Sequence, residues 1–291
     1  MRTRKLGPDG PNVSAIGLGG MYLSIVSGSG SGSGGRPSEA EALATIAASL
    51  AAGVTLIDAA DVYCADENDY GHNERLIAKA VGNKPGITIA TKGGLRRPGG
   101  SWTRDAKPAQ LRAACEASLK ALGRDVIDLY QLHAPDPKTK LVDSIGELSR
   151  LREEGKIKAI GLSNVSVDEI KTAETIAAVA SVQNRWNPGD RSPEEDGVLA
   201  YCTERGIAFL PYSPFGGARG AKSLGEVGHL SEQAKKRDVS VHRLVLAWML
   251  AKSPVVIPIP GGRRIASVED SARAADLELS AEDVAEIEAS F

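Results

Sequence analysis

Four polar side chains lie at or just after the ends of apolar, strand-like segments in the first half of the chain. Asp58 ends "GVTLID", Lys92 ends "ITIATK" and His133 ends "IDLYQLH". Tyr63 follows Asp58 by five residues. Each residue alone has a structural explanation, such as a turn former or a solvated strand end. Their recurrence at the same place in neighbouring segments instead favours one site built where parallel strands end.

These four residue types together suit proton transfer to a carbonyl oxygen. A tyrosine titrates near pH ~10 in water, so it is a weak acid at neutral pH. A nearby lysine ammonium stabilises the tyrosinate and lowers that pKa, and an aspartate keeps the lysine charged and in place. A neutral histidine donates a hydrogen bond that orients a carbonyl. The set Asp58, Tyr63, Lys92 and His133 therefore predicts catalysis of carbonyl reduction.

Other chemistries fit the sequence less well. His72, His229 and His242 are scattered and no H-E-x-x-H occurs, so no metal site is predicted. No G-x-S-x-G is present, which disfavours acyl transfer. A lyase or aldolase that forms a Schiff base on Lys92 stays an alternative. It needs a lysine of lowered pKa, and Asp58 acts in the opposite direction.

The composition limits the class of protein. The 291 residues carry a net charge of −2 without a long basic or acidic run, so neither nucleic acid nor a membrane surface is an expected partner. The longest apolar run, "LVLAWMLA", is too short for a membrane span. The start lacks an apolar signal segment, and the three cysteines form no C-x-x-C. We expect a cytoplasmic protein.

The elements that must position the four residues repeat along the chain. Eight strand-like runs each precede a helix-like run, and several are apolar on both faces, as in covered parallel strands. This count predicts one α/β domain over residues 1–291, a (β/α)8 barrel with additional C-terminal helices; a doubly wound sheet is the rival. The opening "TRKLGPDGPNVSAIG" predicts a hairpin that plugs the barrel. The strand runs are "SAIGLG", "VTLIDAA", "ITIATK", "IDLYQLH", "KAIGLSN", "ASVQNRWN", "IAFLPYSP" and "VVIPIPG".

Residues 27–35 contain only glycine and serine. Gly30-x-Gly32-x-x-Gly35 matches a dinucleotide-binding fingerprint, which requires a tight turn from a strand directly into a helix. Here Arg36 and Pro37 follow, and Ser38 with Glu41 forms the predicted start of the helix. We therefore favour a flexible loop over a phosphate loop.

The order of these motifs resembles the aldo-keto reductase family over nearly the whole chain. The segments that carry the resemblance run from "IGLGGMY" through "GVTLIDAADVYCADENDYGHNERLIAKAV", "ITIATKGG" and "IDLYQLHAPDP" to "IGLSN", "VQNRWN", "YSPFGGA" and "IPGGRR". The resemblance implies a barrel that binds NADPH across the C-terminal face. It implies Tyr63 as the general acid, Lys92 and Asp58 as its tuning pair, and His133 as the group that orients the substrate. A non-catalytic, cofactor-sensing barrel is the alternative within this resemblance, and the complete catalytic set argues against it.

The resemblance also implies which residues bind the cofactor. The family's adenine-binding Glu-Asn pair is here Asp270 and Ser271, and serine stands at position 267, where some members have arginine. NADPH preference therefore depends on Arg263 and Arg264, and NADH is a second candidate cofactor. The implied contacts are Ser163, Asn164 and Gln183 with the carboxamide, Tyr212 with the nicotinamide ring, Ser213, Pro214 and Gly216 with the pyrophosphate, and Gly261, Gly262, Arg263, Arg264 and Asp270 with the adenosine part.

The predicted substrate is a small carbonyl compound, moderately apolar or sugar-like. Its expected contacts lie on the loops after the first and third strands, at Met21, Tyr22, Leu95 and Trp102.

Overall fold

Strands and helices alternate along the chain, as the eight predicted units require. The computed structural model describes residues 1–25 and 35–291. The strands are β1 (Thr3–Lys5), β2 (Asn12–Ser14), β3 (Leu18–Gly19), β4 (Leu56–Asp58), β5 (Thr88–Gly93), β6 (Leu95–Arg96), β7 (Thr103–Arg104), β8 (Ile127–Leu132), β9 (Ile157–Ser163), β10 (Val179–Gln183) and β11 (Ala208–Phe209). The α-helices are α1 (Glu39–Ala51), α2 (His72–Val81), α3 (Pro108–Leu122), α4 (Leu141–Glu153), α5 (Val167–Glu174), α6 (Ser192–Glu195), α7 (Val198–Arg205), α8 (Gly217–Ser223), α9 (Leu230–Lys236), α10 (Val241–Lys252), α11 (Ile265–Ala272) and α12 (Ala281–Glu288).

The parallel sheet closes into a barrel through a segment that is not a continuous strand. Seven strands pair in the order β3-β4-β5-β8-β9-β10-β11. Residues 255–261 lie between the two edges: Ile257 N–H donates to Phe209 O (2.8 Å), and Gly17 N–H donates to Pro258 O (2.9 Å). Bonds to both edges confirm the barrel and exclude the doubly wound sheet. The eighth predicted strand lies in the barrel wall but is not continuous, because the prolines in "VVIPIPG" have no N–H to complete a ladder.

The N-terminal hairpin fills one end of the barrel, as predicted. β1 and β2 pair antiparallel, and Val13 in β2 and Leu6 just after β1 are buried. They pack with Leu56, Leu129 and Ile257, whose side chains point into the barrel. This apolar plug closes the N-terminal end, so the opposite end is where polar groups can reach solvent.

Helix boundaries follow local chemistry. The predicted capping box is present: Ser38 N–H donates to Glu41 Oε2 (2.8 Å), and Glu41 N–H donates to Ser38 Oγ (3.3 Å). The helix expected in "SPEEDGVLAYCTERG" is two helices, α6 and α7, since Gly197 has φ +83°. The predicted flexible loop at 27–35 lies outside the described residues, except for Gly35.

Two further features complete the description of the fold. The loop after β5 forms a two-stranded hairpin, β6–β7, which the sequence analysis did not predict. Of the helices in the described ranges, none is long and apolar enough to cross a membrane.

Candidate active site

The strand period places the polar residues inside the mouth of the barrel. Side chains two residues apart on a strand point the same way. Leu56 points into the barrel, so Asp58 does as well, one step nearer the C-terminal end. By the same spacing, Leu129 on β8 precedes Gln131 and His133. The predicted grouping at the C-terminal ends of the strands is therefore what the structure shows.

Lys92 is the centre of the site. Its side chain is fully buried (0% exposed). Its ammonium donates to Asp58 Oδ2 (2.6 Å), to Ala59 O (2.8 Å) and to Tyr63 Oη (3.0 Å). A lysine ammonium has three donors, so all are satisfied. Burial lowers the pKa of Lys92, but contacts with Asp58 and Tyr63 outweigh burial and raise it overall.

The second oxygen of Asp58 is held by two buried amides. Gln183 Nε2 donates to Asp58 Oδ1 (2.8 Å), and Gln131 Nε2 donates to the same atom (3.2 Å). Gly161 on β9 leaves room for Gln131, whose Cγ would lie 2.7 Å from a Cβ at that position. Gln131 was not predicted as a site residue, although its position two residues before His133 in a buried run was a signal. Gln183 uses its amide nitrogen here, and its expected contact with a carboxamide stays a prediction.

Tyr63 is buried with its hydroxyl on Lys92. Burial raises the pKa of Tyr63 to about 12, against the opposing influence of the Lys92 ammonium. The sequence predicts a lowered pKa for Tyr63; the contribution of Lys92 has the expected direction, but burial is the larger effect. Tyr63 is therefore protonated at neutral pH, which a proton donor must be.

His133 faces Tyr63 edge to face, with 5.8 Å between the ring centres. Burial, with a smaller effect of the Lys92 charge, holds the pKa of His133 well below its usual value. The ring is therefore neutral at pH 7 and carries one N–H donor. Its Nδ1 is buried and has no partner within the described ranges, as is typical of functional sites.

The predicted carboxamide-binding residues form one hydrogen-bonded cluster beside His133. Asn164 Nδ2 donates to His133 O (2.9 Å) and to Ser163 Oγ (3.0 Å). Tyr212 donates its hydroxyl to Asn164 Oδ1 (2.8 Å). Asn164 has φ +59°, a left-handed conformation that is uncommon outside glycine and that recurs at functional sites.

The predicted pyrophosphate segment is a tight turn after β11. Ser213 has φ +51°, and Gly216 N–H donates back to Ser213 O (2.9 Å) across Pro214. Gly216 itself has φ +75° and directly precedes α8. The predicted contact of this turn with a pyrophosphate stays a prediction.

Two glycines before α11 are required by close packing. A Cβ on Gly261 would lie 2.5 Å from the Tyr22 ring, and a Cβ on Gly262 would lie 2.6 Å from Val268 Cγ1. Tyr22 therefore covers the segment predicted to bind adenosine.

The predicted phosphate-binding arginines are exposed beside these glycines. Arg263 and Arg264 are both exposed, and Arg263 Nη2 donates to Ile25 O (3.1 Å). Asp270 lies farther along α11 and is ion-paired with Arg243. Its predicted contact with adenine stays a prediction, but its carboxylate already has a partner.

The four predicted substrate contacts separate into two groups. Met21 and Leu95 pack against the small apolar cluster that contains Tyr63, and Trp102 lies edge-on to His133 with 6.3 Å between the ring centres. Tyr22 instead lies on the glycine segment described above. No group of three or more possible metal ligands occurs in the described part of the chain.

The comparisons agree with this geometry. The sequence profile of the Aldo/keto reductase family matches residues 15–290. An uncharacterized oxidoreductase of Schizosaccharomyces pombe is 38% identical over 254 residues, which is 87% of this chain and 80% of that protein.

Solved structures share the fold over nearly the whole chain. An aldo-keto reductase from Klebsiella pneumoniae in complex with NADPH has a TM-score of 0.81 and 25% identity, and the match covers 99% of this chain and 94% of that one. A glycerol dehydrogenase from Gluconobacter oxydans has a TM-score of 0.82 and 29% identity, with 98% and 94% covered.

Proposed function

We propose that this chain, which belongs to the aldo/keto reductase family, reduces an aldehyde or ketone to the alcohol with NADPH. The observation that carries the proposal is the contact of the Tyr63 hydroxyl with the fully buried Lys92 ammonium at 3.0 Å, beside a neutral His133. This arrangement places a protonated phenol and a hydrogen-bond donor at one point in the mouth of the barrel.

The residues of the chain supply proton transfer and orientation. The His133 N–H donates to the carbonyl oxygen and fixes its direction. Tyr63 donates its proton to the same oxygen as negative charge develops there, and the Lys92 ammonium stabilises the tyrosinate that remains. Asp58 keeps Lys92 charged and oriented. When bound, NADPH supplies the hydride from nicotinamide C4.

The residues present fit a nicotinamide cofactor. Asn164 and Tyr212 offer an amide and an aromatic face next to His133, and the unusual backbone at Asn164 is of the kind found where a ligand is clamped. Arg263 and Arg264 are exposed cations at the start of α11, where backbone N–H groups also favour a phosphate. The family uses a nicotinamide cofactor, and the related Klebsiella pneumoniae enzyme was crystallised with NADPH.

The state of Lys92 opposes a Schiff-base mechanism. Such chemistry needs a neutral amine with a free lone pair. Lys92 has a raised pKa, and three acceptors surround its ammonium. We therefore assign it to the tuning of Tyr63 rather than to covalent catalysis.

Cofactor oxidation tests the proposed function. The chain is mixed with NADPH and a panel of aldehydes and ketones, with NADH in parallel, and loss of the reduced nicotinamide absorbance is followed. We expect turnover of at least one carbonyl and formation of the matching alcohol. A chain that binds NADPH but turns over no member of a broad panel would instead support the cofactor-sensing alternative.

A further inference from the structure

Arg97 is a buried cation in the loop that joins β6 and β7. Its side chain is only 6% exposed, although it lies close to the mouth of the barrel. Burial lowers the pKa of Arg97, yet a guanidinium stays charged under ordinary conditions. A buried charge is costly unless opposite charge or good acceptors surround it.

The partners of Arg97 do not meet that requirement. Its Nη2 donates to Ala65 O (3.2 Å), and its Nε is buried with no acceptor within the described ranges. No carboxylate among residues 1–25 and 35–291 forms an ion pair with Arg97. Arg237, with a comparably buried side chain (11% exposed), is ion-paired with Asp283 and Glu286. Arg97 therefore differs from Arg237, whose charge is matched by carboxylates within the protein.

The acid that acts on Arg97 already accepts a hydrogen bond on one of its oxygens. Asp66 contributes a weak electrostatic effect, but its Oδ1 accepts the N–H of Asn68 at 2.9 Å and so caps a short turn. Cys64, which also acts on Arg97, is neutral at pH 7, because burial raises the pKa of its thiol to about 12. The guanidinium is thus left with an unmet need for an anion.

The place of Arg97 connects this need to the reaction. Its guanidinium stacks on Trp102, 4.2 Å from the ring centre. The same indole lies 6.3 Å from the His133 ring, and 47% of the Trp102 side chain is exposed. The Trp102 indole therefore lies beside both the buried guanidinium and the His133 ring, and part of it is open to solvent.

We propose that Arg97 binds a carboxylate on the carbonyl substrate, so that the preferred substrates are aldehydes or ketones that carry an acid group. The carbonyl end contacts Tyr63 and His133, and the rest of the molecule lies along Trp102. The guanidinium is a planar fork that matches a carboxylate and supplies the donors that the chain leaves without partners. This inference rests on the proposed function and deepens it by naming a substrate class.

A purely structural role makes a different prediction. The bond to Ala65 joins the β6–β7 hairpin to the loop that carries Tyr63, so loss of Arg97 would then impair every substrate equally. A carboxylate-binding role affects only substrates with the acid. A pair of compounds that differ in this group alone separates the two.

The first experiment needs no variant. The probes are 4-formylbenzoate and 4-formylbenzamide as substrates, and 4-(hydroxymethyl)benzoate and its amide as unreactive ligands; the 3-substituted isomers vary the reach. We expect the acid to bind at least about 10-fold more tightly than the amide by calorimetry, with a similar preference in kcat/KM, because hydrogen bonds to charged groups contribute strongly. Equal binding of acid and amide in both isomer pairs overturns the proposal.

The variants then assign the preference to Arg97. Arg97→Gln is expected to lower affinity for the acid about 10- to 100-fold and to change affinity for the amide less than about 2-fold. Arg96→Gln is the matched control, because it removes the same charge from the same hairpin at a side chain stacked on Tyr70, 5.1 Å from the ring centre. Equal loss of both ligands in Arg97→Gln shows a structural role and overturns the proposal.

Failure of the proposed function can be distinguished from failure of the role proposed for Arg97. If the acid binds preferentially and this preference is lost in Arg97→Gln, the assignment of Arg97 holds even when neither aldehyde is reduced. Absence of reduction would then count against the reductase activity alone.

Discussion

At the scale of single residues, the protonation states of Tyr63 and His133 are set mainly by burial. The pKa of Tyr63 is raised to about 12, and the pKa of His133 is held well below its usual range. Burial disfavours the charged form of each group, so the first stays a donor and the second stays neutral. Both states suit reduction of a carbonyl at neutral pH.

Removal of the Tyr63 hydroxyl tests its role as the proton donor. We expect Tyr63→Phe to lower kcat by about 100- to 10,000-fold, the usual contribution of a positioned acid. Affinity for NADPH, measured by fluorescence titration, should change little, because the implied cofactor contacts lie on other residues. Tyr201→Phe is the control, since that hydroxyl binds Glu174 far from the site. Turnover that Tyr63→Phe leaves intact would remove Tyr63 from the mechanism.

The ion pair of Lys92 and Asp58 makes a prediction about stability. Lys92→Met leaves the buried Asp58 carboxylate without its cation, and we expect a loss of about 3–5 kcal/mol in the free energy of unfolding. Combining it with Asp58→Asn should restore part of that loss, because neither charge remains. Urea denaturation of the two single variants and the double variant completes the cycle. Strictly additive losses would show that the two groups do not stabilise each other.

Sequence patterns were sufficient to bring the predicted catalytic residues together and insufficient to identify the residues that hold them in place. Asp58, Lys92 and His133 each end an apolar strand, so the fold dictates where they meet. Gln131 was not predicted, although its spacing of two residues from His133 places both side chains on the same side of β8. Arg97 was not predicted as a site residue, because it lies in a hairpin whose short strands carry no apolar alternation.

At the scale of elements, the eighth strand differs between the prediction from its sequence pattern and the observed structure. Its apolar run predicted a strand, and it does lie in the barrel wall. The prolines in it cannot donate, so one side of the ladder keeps only alternate hydrogen bonds. Helix α6 and helix α7 show the same limit, because one left-handed glycine, Gly197, divides an otherwise continuous helical pattern.

The segment before α11 carries the prediction on cofactor choice. We expect replacement of Arg263 and Arg264 together by alanine to weaken NADPH binding by about 10- to 100-fold and NADH binding much less, because only NADPH has the 2′-phosphate. Calorimetry with both cofactors measures the difference. Arg273→Ala, which removes an exposed cation just beyond the C-terminal end of α11, is the control. Equal weakening of the two cofactors would show that these arginines do not recognise the phosphate.

At the scale of the whole molecule, buried titratable groups at the mouth of the barrel make the free energy of unfolding depend on pH. His133 has a lowered pKa in the folded chain, so its contribution to stability is present above about pH 6.5 and is lost as the pH falls, since the unfolded chain then takes up a proton. Asp61, next to the site, behaves in the opposite way. Burial, with a further effect of the Glu74 charge, raises its pKa well above the usual value.

The pH dependence of stability due to Asp61, which is opposite in sign to that due to His133, can be measured. Above the pKa of an unfolded aspartate, about 4, the folded chain retains a proton that the unfolded chain has lost, so stability due to Asp61 falls as the pH rises. Asp61→Asn removes this dependence and can keep the bond from Val62 N–H, which is 2.7 Å from Asp61 Oδ1. We therefore expect the variant to gain stability relative to the parent chain between pH 5 and 7, by up to about 1.4 kcal/mol per pH unit, in parallel urea titrations. Because His133 is common to both proteins, its contribution cancels in the difference, and parallel stability curves would show that Asp61 is ionised in the folded chain.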